Sequence, residues 1–147
     1  MNDPILGFDG EYRWLSNFYP LENPIIYEDI SFPTTEHIYQ AMKCVHTEDM
    51  KYISQLSPGQ AKRVGRIVAK VDDWDACKYD VMYYILVIKY NQPKFKKLLL
   101  ATGDRYIEET NNWHDNFYGN CICEKCTMIE GQNNLGKIIM KIRDTLK

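Results

Sequence analysis

The sequence predicts a mainly helical α+β domain with a small β-hairpin element near its N-terminus. Two observations predict it. Apolar residues recur at helical spacing in four or more stretches beyond residue 34, whereas strand-like runs pair up at only one short place before it. The 147 residues suit a single domain, 1–147, with a real core; no linker, repeat or low-complexity tract divides it.

Residues 1–33 carry Pro4, Gly7, Gly10, Pro20, Pro24 and Pro33, a loop-rich start. Ile25-Ile26-Tyr27 and Ile30-Ser31-Phe32 flank Glu28-Asp29, which suits a tight hairpin without the usual glycine. Helices are expected near 35–45, 58–69, 74–90, 93–101 and 134–146. A polar break at His46–Asp49 and a short helix over Met50–Leu56 separate the first two. Thr34-Thr35 after Pro33 offer an N-cap, and Ser57-Pro58-Gly59-Gln60 combines a Ser cap, Pro at the first helical position and Gln at the third. The expected core stripes are Ile38, Ala41, Met42 and Val45; then Ala61, Val64, Ile67 and Val68; then Cys77, Val81, Tyr84, Ile85 and Ile88. Leu135, Ile138, Ile139, Ile142 and Leu146 complete them in the last helix. Tyr106-Ile107-Glu108 reads as a short strand or extended edge. Residues 109–134 lack periodicity, and their aromatic residues argue for an ordered functional segment rather than disorder.

A net charge of −2 gives no electrostatic grip on a nucleic-acid backbone, although a single nucleotide remains a suitable ligand. No apolar run is long enough to cross a membrane, and Met1-Asn2-Asp3-Pro4 does not open a signal peptide. The five cysteines are therefore expected to be reduced thiols of a cytoplasmic protein.

Three polar clusters interrupt the periodic segments. Trp14-Leu15-Ser16-Asn17-Phe18-Tyr19-Pro20 suits a wall that stacks on a planar ligand, though a packed loop would look the same. Glu36, Gln40 and Lys43 fall on one face of a helix at spacings of four and three, opposite its core stripe; a solvated helix face would also look like this. The third cluster runs from Asn111 to Gly119 and continues at Gly131-Gln132-Asn133-Asn134-Leu135-Gly136. There the amides of Asn134–Gly136 could hold an anion or simply belong to an Asn-capped helix. Cys121, Cys123 and Cys126 could join His114 in a four-ligand zinc site. But Cys-x-Cys-x-x-Cys is half of a usual pattern and no second pair follows, so no metal is expected.

Taken together, these blocks resemble the YbiA-like, or NADAR, family. The resemblance covers Phe8 to Arg143. It rests on Leu15–Pro20, Phe32–Lys43, Ala61–Arg66, Trp74, Leu99–Asp104, Asn112–Gly119 and Asn133–Arg143, in that order. The family is similar to N-glycosidases: some members are implicated in cleaving ribosylamine intermediates of riboflavin synthesis, others in removing ADP-ribose from guanine. The resemblance implies that Glu36 and Lys43 belong to an active centre, with Asp115 and Trp74 near it. Tyr118 stands where many members have Trp, and the Cys-rich insertion after Gly119 is a further departure; both bear on substrate identity.

The expected catalytic residues are thus Glu36, Lys43 and Asp115. Trp14, Ser16, Asn17, Phe18, His37, Gln40, Trp74, Trp113, Tyr118, Gly119 and Asn134 are expected to bind substrate, and the three polar clusters to serve one pocket. No cofactor is called for. The partner is a small nucleotide or ribosyl substrate, which includes ADP-ribosylated guanine in nucleic acid. Lys43 is read as a Schiff-base nucleophile, Glu36 as the proton-transfer group and Gln40 as a group orienting the sugar; in the alternative, Lys43 binds the substrate electrostatically and Glu36 serves as base for a water. The competing readings are a non-catalytic ADP-ribose or nucleotide-binding module and a zinc-stabilised interaction domain.

Overall fold

A computed structural model describes residues 3–147. In chain order the elements are β1 (Ile5–Leu6), β2 (Ile25–Tyr27), β3 (Ile30–Phe32), α1 (Thr35–Met42), α2 (Thr47–Ser54), α3 (Pro58–Val64) and α4 (Trp74–Asn91). These are followed by α5 (Pro93–Ala101), β4 (Ile107–Glu108), β5 (Thr110–Asn111), β6 (Asn120–Cys121) and α6 (Asn134–Leu146). The fold is α+β and mainly helical. The chain forms two compact units: Asn17–Gln92, and the described part of Met1–Ser16 with Pro93–Lys147.

In the unit Asn17–Gln92, β2 and β3 pair antiparallel with Ile25 opposite Phe32 and Tyr27 opposite Ile30. The turn is made without glycine: Glu28 and Asp29 both take left-handed φ values, 53° and 61°, as a two-residue hairpin with the right twist requires. α1 is the centre of this unit and packs on α2, α3, α4 and β3. The Thr34 side chain accepts from the His37 amide at its start, and Ser57 with Gln60 closes a reciprocal capping box at the start of α3.

Several predicted boundaries and faces shift. The acidic stretch read as a break is the first turn of α2, where Glu48 and Asp49 meet the positive end of the helix dipole. α1 ends at Met42 and α3 at Val64, so Val45 and Ile67 leave their stripes; Ile67 is 83% exposed. In α4 the buried residues are Trp74, Met82, Ile85, Leu86, Lys89 and Tyr90, while Tyr84 is 69% exposed and Ile88 also faces out. The run Val81–Ile88 is apolar on every side, so spacing alone gives no contrast from which to choose a face.

In the other unit, β1 pairs parallel with β4, setting Ile5 beside Ile107, and β5 pairs parallel with β6. α6 packs on α5 and β4, burying Leu135, Ile138, Ile139 and Ile142 as expected, with Leu146 half-buried. Gly136 makes the close seat of α6 possible, because a Cβ there would overlap the Ile107 carbonyl oxygen. Among the described residues, no helix is long and apolar enough to cross a membrane.

Candidate active site

The row Glu36, Gln40 and Lys43 is not a solvated face. Glu36 is 7% and Gln40 3% exposed, and Lys43 is half-buried at the C-terminal end of α1. Because α1 is enclosed by other elements on several sides, its polar row is turned into the unit rather than into water. Gln40 Nε2 donates to Glu36 Oε2 at 2.6 Å. Gln40 Oε1 is buried and finds no hydrogen-bond partner among the described residues. Gly65 sits directly against this amide, since a Cβ there would overlap Gln40 Oε1. Gln40 is thus a buried donor that holds the Glu36 carboxylate.

Beyond Lys43 the chain is zipped to 69–71: the Val45 amide donates to Ala69 O, the Val71 amide to Lys43 O, and Cys44 bridges Lys70. This brings a second basic segment beside Lys43. A cleft of about 740 Å³ opens here, lined by Tyr39, Lys43, Lys70, Val71, Asp73, Trp74, Asp75, Ala76 and Lys78. Tyr39 of α1 and Lys43 just past its end line the cleft, whereas Glu36 and Gln40 are not among its lining residues. The Tyr39 and Trp74 rings meet edge to face at 5.3 Å, and Lys43 Nζ lies 5.6 Å from the Tyr39 ring centroid.

Burial holds the Lys43 ammonium below its ordinary pKa. Glu36 opposes this by favouring the charged amine, Lys70 and Arg66 add to the lowering, and the net direction is down. A lysine so placed reaches its neutral, nucleophilic form more readily than an exposed one.

The other residues expected in this unit differ in how much they present. Asn17 is built into the fold: it accepts from the Thr35 hydroxyl at 2.8 Å, its carbonyl accepts from the Glu36 amide, and its Nδ2 donates to Met82 Sδ. Phe18 beside it is exposed. His37 does not present its ring. It is 1% exposed, with Nε2 donating to Leu56 O at 2.6 Å and Nδ1 at 2.7 Å from the Thr34 hydroxyl, so it ties the α1 cap to the end of α2.

In the other unit, Trp14 is buried and Ser16 half-buried at the end of a 3₁₀ turn over Gly10–Leu15. Asp115 Oδ1 accepts from the amides of Phe117 and Tyr118 at 3.1 and 2.9 Å, folding the segment back on itself. Trp113 is exposed; Tyr118 is half-buried, edge-on to Phe117. Gly119 is a packing glycine: a Cβ would overlap both the carbonyl and the carboxylate of Glu109. The Asn134 and Leu135 amides donate to the carbonyls of Phe117 and Tyr118, which engages two of the three amides read as a possible anion seat. Sequence reasoning missed Asn111 as a hub. Its Oδ1 accepts from the amides of Trp113 and Asp115, and its Nδ2 faces the Glu109 carboxylate and the Asp115 carbonyl. It also missed Lys89, which is fully buried in α4.

The NADAR domain family model matches residues 7–147, running through both units. The chain is 32% identical to the N-glycosidase YbiA of Escherichia coli over 99% of its length and 91% of that protein. It is 32% identical to an N-glycosidase of Nostoc punctiforme over 92% of its length and 86% of that protein. The solved solution structure of E. coli YbiA superposes with a TM-score of 0.80 at 30% identity, covering 99% of this chain and 86% of that one. A chloroplastic riboflavin biosynthesis protein of Zea mays, PYRR, is 31% identical over 79% of this chain, which spans 20% of that protein. The chain belongs to the NADAR family.

Proposed function

We propose that the protein is an N-glycosidase that hydrolyses a ribosyl C–N bond of a nucleotide-type substrate, with Lys43 as nucleophile and Glu36 as proton-transfer group. The observation that carries this reading is Lys43. It sits on the wall of a cleft, with its pKa drawn down by burial against the pull of Glu36. In the first step the neutral Lys43 amine bonds to the anomeric carbon as the C–N bond to the leaving amine breaks. Lys43 loses a proton and the leaving nitrogen gains one, with Glu36, set behind the cleft wall, as the proposed relay through water. Ring opening gives an imine; water adds to it and releases the sugar and Lys43.

The Tyr39 and Trp74 rings suit contact with a flat base, and Lys70 and Lys78 suit a phosphate. Asp73 and Asp75 on the same wall suit sugar hydroxyls. Both substrate classes the family resemblance implies, ADP-ribosylated guanine and a ribosylamino-pyrimidine phosphate, combine these three parts. The cytoplasm is the proposed place of action, in keeping with the reading of the five cysteines as reduced thiols.

A panel of such substrates incubated with purified protein and read by mass spectrometry tests the proposal. Release of the free base or amine from at least one, lost in Lys43→Arg, is the expected result. Binding without release from any of them would make the protein a nucleotide-binding module instead.

A further inference from the structure

The Cys-rich segment brings four soft donors together. His114 Nδ1 lies 3.3 Å from Cys123 Sγ, 3.5 Å from Cys126 Sγ and 4.0 Å from Cys121 Sγ, and all four donor atoms are within 4.8 Å of one another. Donors about 2.3 Å (sulfur) and 2.0–2.1 Å (nitrogen) from a central zinc, at tetrahedral corners, are separated by roughly 3.5–3.8 Å. The His114 separations bracket that value, and the whole cluster, within 4.8 Å, needs only a small contraction to form the shell.

The surrounding chain is arranged to hold it. His114 takes a left-handed φ of 70°, uncommon for a residue with a side chain, and its own amide donates to Cys121 Sγ at 3.3 Å. Asn116 serves two ligands: its Nδ2 donates to Cys126 Sγ at 3.4 Å, and its Oδ1 accepts from the Cys121 amide at 2.9 Å. Such N–H to sulfur bonds orient metal-bound thiolates and temper their charge. Cys121 and Cys126 are buried, yet the neighbouring apolar residues Ile122, Met128 and Ile129 all face outward. The segment thus has three thiols where a small apolar cluster would ordinarily sit, the situation in which a metal substitutes for a core.

We propose that His114, Cys121, Cys123 and Cys126 bind one structural zinc ion. Three S–H bonds are replaced by three Zn–S bonds, His114 adds its nitrogen lone pair, and the thiol protons go to solvent. Four protein donors fill the tetrahedron and leave no position for water, so the site is structural rather than catalytic. Thiolate-rich tetrahedral sites favour zinc over magnesium or calcium, which take oxygen ligands. The sequence pattern is only half of a usual zinc motif because the fourth ligand lies upstream, swung in by the left-handed turn at His114.

The test uses the full chain, purified under reducing conditions without chelator. Elemental analysis is expected to give about one zinc per chain, falling to about a tenth or less in Cys123→Ser and unchanged in Cys77→Ser. Because a ligand variant can misfold, wild-type protein stripped with chelator provides the second measurement. Added cobalt(II) should produce the intense visible bands of a tetrahedral thiolate complex, zinc should abolish them, and the melting temperature lowered by stripping should recover with zinc. Three results would each overturn the proposal: reduced wild-type protein that keeps no zinc after reconstitution and desalting, Cys123→Ser that keeps a full equivalent, or cobalt spectra of an octahedral oxygen site. None of these readouts depends on glycosidase activity.

Discussion

Gln40 and Glu36 are joined by a 2.6 Å hydrogen bond across one turn of α1, and both side chains are more than nine-tenths buried. The amide nitrogen is thus a fixed donor to the carboxylate proposed to shuttle the proton. Gln40→Leu removes that donor while approximating its volume. Turnover on the best substrate of the panel should fall by about 10²-fold with KM changed far less, because the defect lies in proton transfer rather than binding. Steady-state kinetics check this; a raised KM with unchanged kcat would mean that Gln40 contacts substrate after all.

Gly65 tests the same relationship from the other side. A methyl group there must displace the Gln40 amide, because the added carbon would overlap Oε1. Gly65→Ala should lower kcat in the same manner as Gln40→Leu, and the double variant should be little worse than either single one. Additive losses would show that the two act independently.

Gly119→Ala should act on stability. Its Cβ would collide with backbone and side chain of Glu109, where β5 and β6 pair, so the strand pair must open to admit it. Urea unfolding is expected to show a loss of about 1–3 kcal/mol. Unchanged stability with weakened ligand binding would restore Gly119 to a substrate-binding role.

Lys89 makes a pH signature in the fold. Complete burial lowers its pKa from 10.5 to about 7. Below pH 7 both folded and unfolded chains hold the proton and the full penalty of burying the charge applies. From 7 to 10.5 the unfolded chain holds more protons, so stability from this group rises with pH, by about 1.4 kcal/mol per unit. Above 10.5 the penalty is gone. Lys89→Met removes the dependence, so any stability advantage of the variant should shrink between pH 7 and pH 9 in parallel urea titrations. A pH-independent difference would contradict this assignment.

Local signals were the legible part of the fold. Thr34 and Ser57 with Gln60 announce their caps, Glu28-Asp29 its hairpin, and α5 and α6 appear at the expected residues because their apolar spacing contrasts with polar neighbours. The illegible part was set by tertiary enclosure. Nothing local says that α1 is surrounded, so a buried row of Glu36 and Gln40 reads like a solvated one, and nothing in the apolar run Val81–Ile88 says that Lys89 points inward while Ile88 points out. His37 looked available for a ligand because its partners, Thr34 and the Leu56 carbonyl, are fixed only by how α1 meets α2. All four donors of the thiol cluster are legible in the sequence; their convergence, with His114 at a left-handed φ, is not.

The proposed chemistry turns on Lys43 attacking the sugar as a neutral amine. Cyanoborohydride added during turnover, followed by peptide mass spectrometry, addresses it most directly. Arginine keeps the charge but stays protonated, so Lys43→Arg should lose nearly all turnover while retaining ligand binding. A reduced sugar adduct is expected on the peptide carrying Lys43, absent in Lys43→Arg. Product formed at the normal rate with no adduct on Lys43, together with near wild-type turnover by Lys43→Arg, would contradict it.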